Sequence, residues 1–92
     1  SKEEDVAASL SFLKKREKEL LLLLLQKYKR EFTPIEISRE LSVTNKTVIN
    51  RLSVLAKNGF VVPNLVKERI RSYELSEFAK NCEKEIVGEL TE

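Results

Sequence analysis

Apolar positions along this chain change period several times, and the changes divide it into elements. Ser1 to Asp5 is polar and expected to fray. Val6, Ala7, Leu10 and Leu13 then recur at helical spacing, so a first helix begins here and runs on or a separate short one precedes it. Lys14 to Lys29 (KKREKELLLLLLQKYK) is the strongest helix signal. Its residues are good helix formers, and its leucines cover more than one face, as in a central core helix. After a short link, Glu31-Phe32-Thr33, two shorter helices are predicted over 34–41 and 45–58. Thr33 suits the N-cap of the first, Pro34 its opening turn, and Ile35, Ile37 and Leu41 its apolar side. Ser42-Val43-Thr44 breaks the pattern. Thr44 or Asn45 can cap the second helix, whose inner face carries Val48, Leu52 and Leu55. Gly59 suits a left-handed helix end, and Phe60-Val61-Val62 reads as a strand start.

Pro63 cannot donate to a sheet ladder and suits an edge or a bend. A hairpin tip is expected within Asn64 to Glu68. Arg69 to Leu75 alternates, with Arg69, Arg71, Tyr73 and Leu75 on one side and Ile70, Ser72 and Glu74 on the other. Tyr73 and Leu75 are predicted to reach the core, and Arg69 and Arg71 to lie beyond its edge. Ser76 is a good N-cap for a last helix from about residue 77 to 87 or beyond. Along it Phe78, Cys82, Ile86 and Leu90 recur every four residues, flanked by charge, and Gly88 weakens its end. So narrow a stripe suits a helix–helix seam.

The order from Thr33 to Val62 resembles the helix-turn-helix of winged-helix DNA-binding proteins. Ile37 and Leu41, Val43 in the turn, Thr47-Val48, Leu52 and Leu55 carry the likeness, and Gly59-Phe60-Val61 matches the exit to the wing. Arg69 to Ser76 looks like the second wing strand and the start of the next helix. The likeness spans roughly residues 14 to 80. It implies a mainly α fold with a small β-hairpin wing (α+β) and an added C-terminal helix, as in small prokaryotic or archaeal transcriptional regulators. Residues 1–92 would form one domain: an N-terminal extension or helix start over 1–13, a winged-helix core over 14–75, and a C-terminal helix over 76–92.

Charge sharpens this picture. The chain has 92 residues, 35% of them charged, and a net charge of only +2. Yet residues 42–73 hold six basic residues and one acidic, while residues 74–92 hold two basic and six acidic. The positive charge falls on the second helix and the wing, where phosphate contacts would be needed. Lys46, Asn50, Ser53 and Lys57 lie opposite the apolar face of that helix, with Thr47, Ile49 and Arg51 toward its edges. The major groove admits one helix; Asn pairs with adenine and Lys approaches guanine O6 and N7. Thr47 and Arg51 are better placed for phosphates. The resemblance supports Lys46, Thr47 and Asn50 as contacts, with Thr44 and Asn45 at the helix start, and puts Lys67, Arg69 and Arg71 of the wing on flanking backbone or minor groove.

Other chemistry is narrowed by composition. The chain has one cysteine and no histidine, so no intrachain disulfide or zinc site is expected. No metal or other cofactor is expected. Two glycines leave no Gly-rich phosphate loop, and an enzyme is the weakest reading. Leu20 to Leu25 is far short of the roughly 20 residues that span a bilayer. No secretory signal is read, so a cytoplasmic, nucleoid-associated protein is expected; Ser1 in place of Met points to trimming or to a chosen start of the expressed chain.

A chain this size buries roughly 60–65% of its unfolded surface. Pairing of two copies would add to a modest core. Phe78, Cys82, Ile86 and Leu90 are the expected dimer interface, with help from residues 6–13. Antiparallel pairing near Cys82 would make an intersubunit disulfide geometrically possible, although Cys82 on the apolar stripe also reads as a small buried hydrophobe. Together these readings give a homodimeric, sequence-specific regulator on double-stranded DNA. Two alternatives stand beside it: a non-specific chromatin-packing protein, and a winged-helix protein-interaction module.

Overall fold

The Ser1 hydroxyl accepts the Glu4 N–H at 3.2 Å, and the Glu4 carboxylate accepts from the terminal amine at 3.1 Å. This capping box starts α1, Lys2–Leu10, in the computed structural model, which describes residues 1–92. The first five residues, expected to fray, are therefore the opening of a helix. α1 is separate from α2, Lys15–Lys27, which opens where the Lys14 N–H donates to Glu17 Oε1 at 2.8 Å. Leu20, Leu21, Leu24 and Leu25 of α2 are fully buried, each contributing about 1.5–3 kcal/mol from removal of apolar surface from water. α2 is the central helix that its leucine block predicts.

α3 spans Pro34–Leu41 and begins where the Thr33 N–H donates to Glu36 Oε2 at 2.8 Å. Its inward side is Ile37, whereas Ile35, expected on the same apolar side, is exposed. Lys27 pairs with Glu40 and Arg30 with Glu36, both at 2.9 Å, which fastens α3 beside the end of α2. Ser42, at φ 55°, ends α3 in the left-handed region and starts the turn. Thr44, rather than Asn45, caps α4, Asn45–Lys57: its Oγ1 accepts the Thr47 N–H at 3.1 Å. Val48, Leu52 and Leu55 of α4 are completely buried.

Gly59, at φ +83°, closes α4. Its N–H donates to the Ala56 carbonyl at 3.1 Å and the Phe60 N–H to the Leu55 carbonyl at 2.9 Å, the bond pair of a Schellman cap. Phe60 is thus part of the cap, and β1 begins one residue later than expected, spanning Val61–Val66. β2, Arg69–Leu75, pairs with it antiparallel. Lys67 and Glu68 form the two-residue tip, with φ of 51° and 67°, the signs a type I′ turn requires. Asn64 faces Ser72 and Leu65 faces Ile70, leaving Arg71 as an extra residue on β2. That bulge interrupts the strict alternation predicted for β2. As predicted, Tyr73 and Leu75 are buried while Arg69 and Arg71 lie beyond the core edge. Phe32 exchanges two backbone bonds with Tyr73, at 2.9 and 2.8 Å, docking the α2–α3 link onto the hairpin base.

The last predicted helix is two helices: α5, Glu77–Asn81, capped by Ser76, and α6, Glu83–Leu90, with a break at Cys82. α6 packs on α1 and α2. The stripe expected to face a partner chain therefore points inward. Ile86 is 0% and Cys82 5% exposed, and Phe78 and Leu90 are half-buried against the same core. These side chains already have cover within their own chain, and a buried Cys82 is not placed for a disulfide to another copy. Six helices and a two-stranded hairpin in this order form a winged helix-turn-helix with added C-terminal helices.

Candidate nucleic-acid interface

α4 turns its outer face to solvent with Asn45, Lys46, Ile49, Asn50, Ser53 and Lys57. A helix has a rear as well as a front, and Thr47 and Arg51 sit nearer the rear, half-buried. The polar set divides further by what its atoms already touch. Thr44 Oγ1 donates to Thr47 Oγ1 at 2.9 Å while accepting the Thr47 N–H, so both threonines are committed to the cap. The Ser53 hydroxyl donates to the Ile49 carbonyl one turn back, at 2.9 Å. Asn45, Lys46, Asn50 and Lys57 make no side-chain bond within the chain and present free polar ends.

Arg51 leans toward α2. It lines, with Arg16, Glu19, Leu20, Leu41 and Val43, a cavity of about 300 Å³. Arg16 pairs with Glu19 at 2.7 Å. The Glu19 carboxyl is held below its ordinary range, first by the hydrogen bond from Arg16, with the charge of Arg51 adding to it. The sequence placed Arg51 at the edge of the reading face, and the structure sets it on the flank against α2.

The hairpin follows α4 directly after Gly59, and β1 packs against that helix. Lys67, Arg69 and Arg71 are all exposed. Every ion pair of the chain lies outside residues 42–73, so none of the six cations on α4 and the hairpin is neutralised internally. Asn64 steadies the hairpin: its amide donates to Glu31 Oε2 at 2.8 Å, Glu74 Oε2 at 3.2 Å and Ser72 Oγ at 3.3 Å.

Ile49, set toward the edge of the outer face of α4 by the sequence, is the apolar residue exposed on it. At 38% exposed it stands among the polar residues of the outer face. Its sequence signal was an apolar residue one place after the inner-face Val48, off the buried spacing.

A helix with a free polar and basic outer face, joined to a basic hairpin, is the arrangement of a winged helix-turn-helix. No protein-family model and no curated protein matches the sequence. In fold the chain is similar to a crystal structure of a MarR-family transcriptional regulator from Rhodococcus sp. RHA1, with a TM-score of 0.68 at 13% identity. The match covers 96% of this chain and 64% of that one, so this chain spans just under two thirds of the neighbour's length.

Proposed function

We propose that this chain is a transcriptional regulator that binds double-stranded DNA sequence-specifically, as a pair of copies, in the cytoplasm. The observation that carries the reading is the set of six cations on α4 and the hairpin, none of them in an ion pair, while all six ion pairs of the chain lie on other elements. Burying or crowding so much unneutralised charge is costly, whereas a polyanion satisfies all of it. The solved fold neighbour, itself described as a transcriptional regulator, supports the same reading.

In this reading α4 enters the major groove. Asn50 pairs with adenine, Lys46 with guanine O6 and N7, and Ile49 touches a thymine methyl. Asn45, Ser53 and Lys57 complete the contacted face, and Thr44 and Thr47 fix the helix start against the groove. Lys67, Arg69 and Arg71 take flanking phosphates, and Arg51, on the flank toward α2, takes another. Two copies would read half-sites about 34–36 Å apart. Since Cys82 and Ile86 are covered within the chain, the copies would meet elsewhere. Phe12, 72% exposed at the corner between α1 and α2, supports that corner as the contact.

The test is fluorescence anisotropy with a random-sequence duplex at low salt, comparing wild type with a Lys46→Ala, Asn50→Ala, Arg69→Ala triple variant. Wild-type binding that the variant loses supports the assignment. A wild type that stays free at every concentration refutes it and turns the search to protein partners.

A further inference from the structure

Four of the chain's seven exposed large apolar side chains stand on the hairpin: Val62 at 44%, Leu65 at 57%, Val66 at 52% and Ile70 at 50%. Exposed β-branched and leucine side chains concentrated on one short element mark a contact surface. The pairing register sorts them. Leu65 and Ile70 are direct cross-strand partners and so share one face, while Val66 is opposite Arg69 on the other. Successive residues of β1 alternate, which puts Leu65 on the face of Val61 and Pro63. That face is the one covered by the core at the hairpin base, where Val61, Tyr73 and Leu75 are buried. The Leu65–Ile70 pair therefore continues the inner face of the hairpin past the point where the core stops covering it. Three cations without ion-pair partners stand near the pair, with one acid among them: Lys67 and Glu68 at the tip, Arg69 next to Ile70 in the chain but on the other face, and Arg71 at the bulge.

A DNA minor groove fits both chemistries best. A protein surface that covered Leu65 and Ile70 would desolvate three cations unless it were itself acidic. A DNA minor groove offers phosphates along its walls for Lys67, Arg69 and Arg71, and base steps on its floor for an apolar pair. Minor-groove proteins use this combination, inserting apolar side chains between base pairs and bending the duplex by about 20–90°.

We propose that Leu65 and Ile70 form an apolar wedge that enters the minor groove, partly unstacks one base step and bends the DNA toward the major groove. The inference rests on the DNA-binding reading. It adds a second source of selectivity, since pyrimidine–purine steps unstack most readily and would be favoured where the hairpin lands.

The experiment uses the full chain and a short duplex labelled at its two ends for energy transfer, with 2-aminopurine at a central TA step. The expected result is a bound duplex with closer ends and brighter 2-aminopurine. The L65S/I70S double variant binds with the wild-type salt dependence but leaves the duplex straight and dark. V66S, altered on the other face, still bends it. Wild-type binding with the free duplex's end-to-end distance and fluorescence overturns the wedge while leaving DNA binding intact. A wild type that does not bind at all overturns both. A double variant that bends DNA normally but turns a paired species into a single copy by sedimentation assigns the apolar pair to a second chain instead and also overturns it. The 2-aminopurine signal of wild type needs no variant, so the result does not depend on how L65S/I70S folds.

Discussion

Removing hairpin cations one at a time should change how steeply DNA affinity falls with salt. Lys46, Lys57, Lys67, Arg69 and Arg71 are exposed and unpaired, while Arg51 is half-buried beside Glu19. If each of the exposed five neutralises one phosphate and releases its counterion, the log–log slope against salt is about −4.5 per copy, from about −0.9 per contact. Affinity then falls about 500-fold between 50 and 200 mM salt. Arg69→Ala and Arg71→Ala should each reduce the slope by about 0.9, and their double variant by about twice that. Asn50→Ala should leave the slope alone, because a base contact releases no counterion, and cost about 1–3 kcal/mol on a cognate site. Lys84→Ala, a change on the acidic C-terminal segment, should alter nothing. Anisotropy titrations at a series of salt concentrations give the slopes. A double variant with the wild-type slope would show that the hairpin touches no phosphate, and an equal loss in Lys84→Ala would show that the effect is only net charge.

Three further outcomes follow from the packing. Ile86→Asp should unfold the chain rather than separate copies. It removes a fully buried side chain worth about 1.5–3 kcal/mol and buries a carboxylate without a partner at several kcal/mol more, against a total stability of about 5–15 kcal/mol; a far-UV melt at wild-type temperature would contradict this. Gly59→Ala should destabilise by about 1–2 kcal/mol in urea titrations, because the cost is the left-handed backbone at φ +83° and not crowding, the space around Gly59 being open; unchanged stability would place the helix end wrongly. Glu40 is held below the ordinary carboxylate range by the Tyr28 hydroxyl first and Lys27 second, and Glu36 by Arg30 first. A depressed carboxyl favours folding above its unfolded pKa, so the melting temperature should fall as pH drops through the carboxylate range. Tyr28→Phe should weaken that dependence, and equal slopes for the two proteins would remove Glu40 from the account.

The helix-turn-helix was legible because several local signals agree there. Pro34 at a helix start, the Val48, Leu52, Leu55 spacing and Gly59 at a helix end each point to the same boundaries, and the structure has them within a residue. The basic set was legible as charge. That all six lack an ion-pair partner was not, because pairing depends on which distant acids the fold brings near, and Glu19, the acid beside Arg51, is taken by Arg16. The hairpin tip was placed only loosely, since Lys67-Glu68 carries none of the Asn-Gly chemistry that advertises two positive φ angles. Tertiary pairing of the strands imposes the turn on residues that would not choose it. The bulge at Arg71 has no composition signal either, as any residue can be the extra one.

The structure departs from the sequence expectation at both ends of the chain, and the two departures are connected. The stripe Phe78, Cys82, Ile86, Leu90 states correctly that α6 needs an apolar cover; it does not state whose. The narrowness of the stripe and the small size of the chain pointed to a second copy as that cover, with residues 6–13 beside it. Yet Ser-x-x-Glu at the very start is a capping box, and it turns Lys2–Leu10 into a helix whose Val6 and Leu10 are buried in the core. The Lys2 ammonium also donates to the Asn81 carbonyl at 3.1 Å, tying the beginning of α1 to the break between α5 and α6. A folded α1 thus covers α6 from within the chain. The consequence for assembly is direct: any pairing of copies has to draw on surface left after this closure, and Phe12, beyond the end of α1, is the most exposed large apolar side chain on that surface, at 72%.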